Sequence, residues 1–577
     1  MQYSKLCEVY EELEKNPSRL KKTEILSEFL KTIKHEKHRE IIYLLQGRVW
    51  PDWEEKEFGI SSQLTIKALA RSTGKQESEI VKKWKKLGDI GEVAAETSKS
   101  KSQHTLFSAK LTTGKVLENL QALPDLVGKG TVDKKIGLIA EILSYATPIE
   151  AKYITRTLMN DLRIGIGSGT LRDSIVWACF DKEDKESYLK VQSAYDKVTD
   201  FAVVFEKALK GSHELDKIEL SPGQPLKVML APKAENMADA FERVKDENGE
   251  LAIEYKYDGF RMLINKDEKG KIRIFTRRLD EVTNQFPDVV KYIHEHITAK
   301  TFIIDSEAVG YNKKTKRYTS FQHISQRIKR KYDIEKLAEE LPIEINVFDI
   351  LYYNGKATID EPFRKRTELL RKIIKNNKFH IQTAHQLITS NQKKAEEFYK
   401  QALKDGQEGV MIKGLDSRYQ PGARVGNWLK LKPVANEFDL VIVGAEYGTG
   451  KRAGWLSSFD VACLGKEGEF LDLGKVSTGV KEKPSKEPGS ISYEELTKIL
   501  KPLITSEHGK SVKIKPKIVI TVTFQEVQGS PSYNSHYALR FPRFTRLRSE
   551  EDKPLKDIAT IEEVKELHDK EVLKRQF

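Results

Sequence analysis

Over roughly the first 220 residues, apolar side chains recur at intervals of three and four. Leu6, Val9, Tyr10 and Leu13 form one such set, and Ile25, Leu26, Phe29, Leu30 and Ile33 another. That spacing lines one face of an α-helix, so the stretch from Met1 to about Leu220 is predicted to be all-helical. The period then changes. Short apolar runs such as Leu251-Ala252-Ile253, Ile272-Arg273-Ile274-Phe275 and Ile345-Asn346-Val347-Phe348 alternate with helical stretches up to Lys432, which predicts a mixed α+β region. From about Pro433 onward, Phe438–Val443 and Lys517–Phe524 read as strands separated by glycine-containing turns. Short strands of this kind fit a small barrel, and an OB-fold is the expectation. The segment from Ile561 to Leu573 has helical spacing and says little else.

Three regions agree with the length. A chain of 577 residues exceeds what one core organises, and the expected domains are 1–220, 221–432 and 433–577. Lys and Arg number 99 against 86 Asp and Glu, a net charge of +13, which favours a polyanionic partner such as nucleic acid without specifying one. The three cysteines, Cys7, Cys179 and Cys463, are far apart, which argues against both a cysteine zinc site and a disulfide framework. The start Met1-Gln2-Tyr3-Ser4-Lys5 has no apolar signal core, and no run approaches the ~20 apolar residues that span a bilayer. A cytoplasmic protein independent of membranes is expected.

The stretch Glu254-Tyr255-Lys256-Tyr257-Asp258-Gly259-Phe260-Arg261 carries the most promising chemistry. Leu251-Ala252-Ile253 reads as a buried strand that delivers Lys256 to the mouth of a pocket, with Gly259 allowing a tight turn. A free lysine has a pKa near ~10.4, so a nucleophilic Lys256 needs desolvation or neighbouring cations, and Arg261 is close in sequence. Taken alone, the octapeptide reads equally as a surface strand end followed by a Tyr-Asp-Gly turn.

Three further stretches stand out. In Thr301–Val309, Asp305 and Glu307 fall on one face of a strand, where two carboxylates need a cation or a hydroxyl partner. Leu158–Thr170 passes from one helix to another through Gly165, Gly167 and Gly169. Such a junction can present backbone N–H groups to phosphate, with Arg156, Arg163 and Arg172 adding charge; a plain helix end is the alternative. Gln103-His104-Thr105-Leu106-Phe107 lies in a polar stretch between helices, which reads as a loop with an apolar tether.

Lys256-Tyr257-Asp258-Gly259 resembles the Lys-x-Asp-Gly nucleophile motif of the covalent nucleotidyltransferases: ATP-dependent DNA ligases, RNA ligases and capping enzymes. Companions follow in family order: Thr276-Arg277, Asp305-Ser306-Glu307, Val347-Phe348-Asp349, Glu408-Gly409-Val410-Met411-Ile412-Lys413, Trp428-Leu429-Lys430-Leu431-Lys432 and Leu539-Arg540-Phe541-Pro542-Arg543. Pro225–Ala231 and Leu162-Arg163-Ile164-Gly165 are similar to segments of the archaeal and eukaryotic replicative DNA ligases. The resemblance covers most of the chain.

It implies a helical DNA-binding domain, an adenylation domain and an OB-fold domain, and an ATP-dependent ligase that seals nicks during DNA replication, repair and recombination. Lys256 would attack the ATP α-phosphate to form lysyl-AMP. Glu254 would orient the adenine amino group and Phe348 would stack on the ring. Glu307 would meet the ribose or a metal ion and Glu408 a metal ion, Mg2+ or Mn2+. Arg261, Arg277, Lys413, Arg424, Lys430 and Lys432 would contact the nucleotide and its phosphates, and Arg540 and Arg543 the β and γ phosphates. Gln103, Leu106 and Phe107 would engage a sliding clamp. The enzyme would act as a monomer on nicked duplex DNA, associated with the nucleoid.

Two other classes stay open on sequence. An RNA ligase or capping enzyme shares the lysine chemistry but is not expected to carry the long helical region. A protein that only binds nucleic acid has no need of the ordered set Lys256, Glu307, Glu408 and Lys430.

Overall fold

The computed structural model describes residues 1–34, 38–54, 56–99, 110–128, 130–319, 321–328, 330, 332–433, 436–448, 452, 454–484 and 490–576. They form two compact units. One is Met1–Gln392 with Met411–Lys430; the other is Lys393–Val410 with Leu431–Phe577. The Gln103–Phe107 segment lies outside the described residues.

The first unit opens with helices from Tyr3–Lys15 to Ser212–Asp216. Leu6, Tyr10, Leu13, Leu26, Leu30 and Ile33 are buried in their common core, as the spacing predicts. The helix Pro148–Leu158 starts in a capping box. The Thr147 hydroxyl accepts the Glu150 N–H and the Glu150 carboxylate accepts the Thr147 N–H. Its two cations, Lys152 and Arg156, are bound internally. Lys152 meets Glu11 at 2.6 Å and Glu92 at 2.9 Å, and Arg156 meets Asp89 at 2.7 Å and Glu14 at 2.8 Å. Arg156, expected to add charge to a phosphate site, is only 3% exposed. Three carboxylates, Glu14, Asp89 and Glu92, hold it inside the helical core. Arg163 remains half exposed beside Asp161 and Asp89, with its backbone left-handed at φ 61°.

Ten strands follow: β1 (Leu251–Lys256), β2 (Phe260–Lys266), β3 (Ile272–Thr276), β4 (Phe302–Gly310), β5 (Ile343–Tyr353), β6 (Lys356–Ala357), β7 (Ile381–Thr383), β8 (Gln386–Thr389), β9 (Gly409–Lys413) and β10 (Trp428–Leu431). One sheet runs β3-β2-β4-β5-β6 with β7 alongside β5, and the other runs β10-β9-β1-β8. Ala252, Leu263, Phe275, Ile303, Leu351, Phe363, Leu415, Tyr419 and Trp428 form an apolar cluster that draws on both sheets. β4 and β5 are buried almost throughout, on both faces, rather than alternating between buried and exposed positions. Polar residues inside them are matched: Asp349 on β5 receives Arg366 at 2.8 and 3.0 Å, both side chains fully buried.

The helical and mixed parts of this unit meet at Asp196. Lys227 N–H donates to the Asp196 carbonyl at 2.8 Å and Gly422 N–H to that of Lys227 at 3.0 Å. Gly422 has φ +70°, and a Cβ there would lie 2.4 Å from the Asp196 carboxyl carbon.

In the second unit β11 (Asn436–Tyr447), β12 (Leu456–Leu464), β13 (Phe470–Val476), β14 (Ile504–His508), β15 (Ser511–Ile514), β16 (Val519–Phe524) and β19 (Arg543–Leu547) form one sheet, and β17 (Val527–Gly529) pairs with β18 (Tyr537–Leu539). The long β11 pairs with β12, β15 and β16 in turn. A register shift between Ile442 and Gly444 lets it bend round the core, as β-bulges do. The result is the expected OB-fold. The helix Tyr493–Leu500 contributes Tyr493, Leu496 and Leu500 to its core, and Ile561–Gln576 is helical.

Candidate active site

β1 is buried from Leu251 to Tyr255 and leaves Lys256 half-buried at its end. The chain crosses directly to β2 through Tyr257-Asp258-Gly259. Gly259 is needed for a reason other than a turn. A Cβ there would sit 2.0 Å from the Ala308 carbonyl oxygen and 3.2 Å from Glu307 Cγ, a separation no side chain tolerates, so glycine lets this backbone lie against β4.

β2 and β4 are antiparallel, with Arg261 opposite Glu307 and Leu263 opposite Asp305. Arg261 reaches diagonally to Asp305: Nε donates to Oδ1 at 2.8 Å and Nη2 to Oδ2 at 2.5 Å. Tyr419 donates to Asp305 Oδ2 at 2.7 Å and accepts the Met229 N–H at 3.0 Å, while Arg261 Nη1 donates to the Met229 carbonyl at 2.7 Å. Burial by itself disfavours the guanidinium charge, but Asp305 outweighs it and holds Arg261 above its ordinary pKa. The cation partner of buried Asp305 is therefore Arg261. Glu307, half-buried, is the more exposed member of the carboxylate pair.

Glu254 lies two residues before Lys256 and is 3% exposed. Lys413 stands 2.6 Å from its Oε2 and Gln386 Nε2 donates to its Oε1 at 2.8 Å. Burial nevertheless keeps the Glu254 carboxyl above the usual range. The Lys413 ammonium lies 4.0 Å from the Trp428 ring centroid, 4.5 Å from Phe363 and 4.7 Å from Phe348, and donates to the Phe348 carbonyl at 3.1 Å. Lys413, expected to contact the nucleotide and its phosphates, is 1% exposed and paired with Glu254. Phe348 itself is half-buried, edge-on to Trp428, with Arg261 5.4 Å from its ring centre.

The other expected residues divide. Arg277 is exposed in the turn after β3 and makes no side-chain hydrogen bond or ion pair with the described residues. Arg424 is exposed and Lys430 half-buried on β10, both on backbone that bridges the lead-in segment, Arg424 to Leu230 and Lys430 to Lys233. In the second unit Lys432 and Glu408 pair with each other at 2.6 Å. Arg543 is exposed at the start of β19. Arg540 differs from expectation: it is 7% exposed and donates from Nη1 to Glu526 at 2.9 Å. A buried ion pair, not an open phosphate site, occupies its guanidinium.

Sequence reasoning missed Tyr419, Gln386 and the Asp349–Arg366 pair. Asp349 had a signal, since an acid inside an apolar strand needs a partner. Tyr419 had none, because nothing in its neighbourhood ties it to a strand 114 residues earlier.

Three family models match in succession: DNA ligase N terminus over residues 2–176, ATP dependent DNA ligase domain over 228–432, and ATP dependent DNA ligase C terminal region over 452–551. A DNA ligase of Nanoarchaeum equitans is 42% identical over 99% of this chain and 98% of its own length. DNA ligases of Thermococcus fumicolans and Archaeoglobus fulgidus are 40% and 38% identical, each over 98% of both chains. A solved structure described as Pmar-Lig_Pre has the same overall fold, with a TM-score of 0.55 at 19% identity over 94% of this chain and 99% of that one. The chain belongs to the ATP-dependent DNA ligases, nucleotidyltransferases whose general reaction seals nicks in DNA through an adenylate intermediate.

Proposed function

We propose that Lys256 is the nucleophile of this reaction, and that Glu254, Phe348, Arg261 and Glu307 hold the nucleotide against it. The observation that carries the proposal is the convergence of separate strands. Lys256 and Glu254 come from β1, Arg261 from β2, Glu307 from β4 and Phe348 from β5, with Arg261 in register with Glu307 and in contact with the Phe348 ring.

In the first step the neutral amine of Lys256 attacks the α-phosphorus of ATP. A phosphoramidate N–P bond forms, the bond to the pyrophosphate oxygen breaks, and the amine proton passes to solvent. AMP then passes to a DNA 5′ phosphate, and the neighbouring 3′ hydroxyl displaces it as the phosphodiester bond closes. Glu254, fixed by Lys413 and Gln386, accepts from the adenine amino group. Arg261, Arg277, Arg424 and Lys430 contact the phosphates and nucleotide, and Lys432 is proposed for the same role. Arg543 faces the pyrophosphate leaving group, while Arg540 shapes that segment through Glu526.

Glu307 fits a hard divalent ion, since Mg2+ takes one or two carboxylates together with substrate phosphates; Mn2+ fits similarly. Such an ion would neutralise phosphate charge. Glu408, paired with Lys432 at 2.6 Å, is a further carboxylate we propose for metal binding.

The proposal keeps three domains, a helical DNA-binding domain over 1–220, an adenylation domain over 221–432 and an OB-fold domain over 433–577. It includes a monomeric enzyme at the nucleoid and a sliding clamp engaged through Gln103, Leu106 and Phe107. No helix among the described residues is long and apolar enough to cross a membrane. Nick sealing on duplex DNA with each nucleotide in turn tests the reading. Sealing with ATP is expected, and a chain that seals only RNA contradicts it.

A further inference from the structure

A second cluster of ligating side chains lies in the first unit among residues the ligase reaction does not use. The helix Pro287–His296 ends in Glu295 and His296, and His380 comes from the turn just before β7. One donor atom from each of the three lies within 4.8 Å of the others. A tetrahedral transition metal with bonds of about 2.0–2.2 Å needs its ligand atoms roughly 3.4 Å apart. Binding an ion would draw the three donors together from separations of up to 4.8 Å.

Both imidazoles are held in place by their surroundings. The His296 carbonyl accepts the Lys375 N–H at 2.8 Å, and the helix end bridges Ile297 to Ile374. His380 is fixed at both ends of its peptide: its N–H donates to Asn377 and its carbonyl accepts from Ile345. Its ring lies flat on Tyr292, centroids 4.2 Å apart and planes 8° from parallel. Preorganised ligands of this kind lower the ordering cost of binding an ion.

The cluster is chemically unfinished as it stands. His296 Nδ1 and His380 Nδ1 are both buried with no hydrogen-bond partner, an expensive condition for polar atoms. The groups facing them are Glu295, 3.9 Å from His296 Nε2 and 3.9 Å from the Lys291 ammonium, and Asn377, whose Nδ2 is 3.3 Å from His296 Nε2.

We propose that Glu295, His296 and His380 form a binding site for a borderline divalent transition ion of the Zn2+ or Co2+ class. Water completes the coordination, and the ion clips the helix end to the turn before β7. Two nitrogens and one carboxylate suit such an ion and do not suit Mg2+, which demands hard oxygen ligands. The site is therefore distinct from the magnesium of the ligase reaction, and the proposal does not rest on that reaction.

The test uses the full chain, stripped of metal and kept in excess Mg2+ so that hard sites are filled, and titrates it with Co2+ followed by visible absorption. One equivalent should develop the bands of a low-coordinate Co2+–imidazole centre and be displaced by Zn2+. His296→Ala should abolish them. His380→Phe, which keeps a ring on Tyr292 but has no nitrogen, should do the same while circular dichroism and nick sealing stay unchanged. Glu295→Ala, on the surface, should weaken binding roughly tenfold to 100-fold, the size seen for losses around metal sites. Absence of a Co2+ spectrum in the natural chain, or full retention of it in His380→Phe, overturns the proposal.

Discussion

The Lys413 ammonium stands 2.6 Å from the Glu254 carboxylate with both side chains at least 97% buried. Removing one partner strands the other charge away from water. Lys413→Met should therefore destabilise the chain by about 3–5 kcal/mol, whereas the double variant Lys413→Met with Glu254→Gln should recover much of that loss. Thermal melting of the two variants decides this, and a single variant no less stable than the double one would remove the pair from the account.

Gly259→Ala places a methyl group 2.0 Å from the Ala308 carbonyl oxygen, so β2 must shift against β4 and carry Arg261 away from Glu307. Overpacking of this kind costs about 1–3 kcal/mol, and the displaced site should transfer AMP to the enzyme at least roughly 100-fold more slowly, as misplacement of about 1 Å does. Single-turnover adenylation with labelled ATP measures it. A normal rate would mean that the β2–β4 contact does not position the site.

The division between sequence and structure follows from the range of the interactions. Helical spacing in residues 6–33 and the apolar runs of β1 to β5 report local burial, which a chain displays in its own order. Lys256, Arg261 and Glu307 could be singled out for the same reason, each at a fixed place in a short strand. The pairings Lys413–Glu254, Tyr419–Asp305 and Arg540–Glu526 were not, because a cation near a motif looks alike whether it faces a phosphate or a buried carboxylate. Only the partner's position separates the two, and burial then assigns Lys413 and Arg540 to carboxylates.

Arg540 and Arg543 should consequently part company. Arg540→Ala leaves Glu526 buried without its guanidinium and should lower the melting temperature. Arg543→Ala, at an exposed position, should leave stability unchanged. It should slow adenylation of the enzyme more than sealing of DNA that already carries AMP, since the pyrophosphate has left by then. Equal damage by Arg543→Ala in the two assays would contradict the role given to it.

Asp196 links pH to stability. Burial raises its carboxyl to about 6, against an unfolded value near ~3.9. The folded chain thus holds this proton more tightly than the unfolded one. The stability linked to it is complete below pH ~4 and is lost as pH rises through about 6. Asp196→Asn should stabilise the fold at pH 8 by on the order of 1 kcal/mol after solvent screening, seen as a higher melting temperature, and make no such difference at pH 4. A variant that is equally stabilised, or equally destabilised, at both pH values would show that the carboxyl does not titrate in this range.

The identity of the adenylated residue is the central claim. After incubation with ATP and Mg2+, mass spectrometry of the digested chain should find AMP on the peptide that contains Lys256. It should find none in Lys256→Ala, which has no amine, nor in Lys256→Arg, whose guanidinium stays protonated. AMP on any other residue of the natural chain, or retained by either variant, would contradict it.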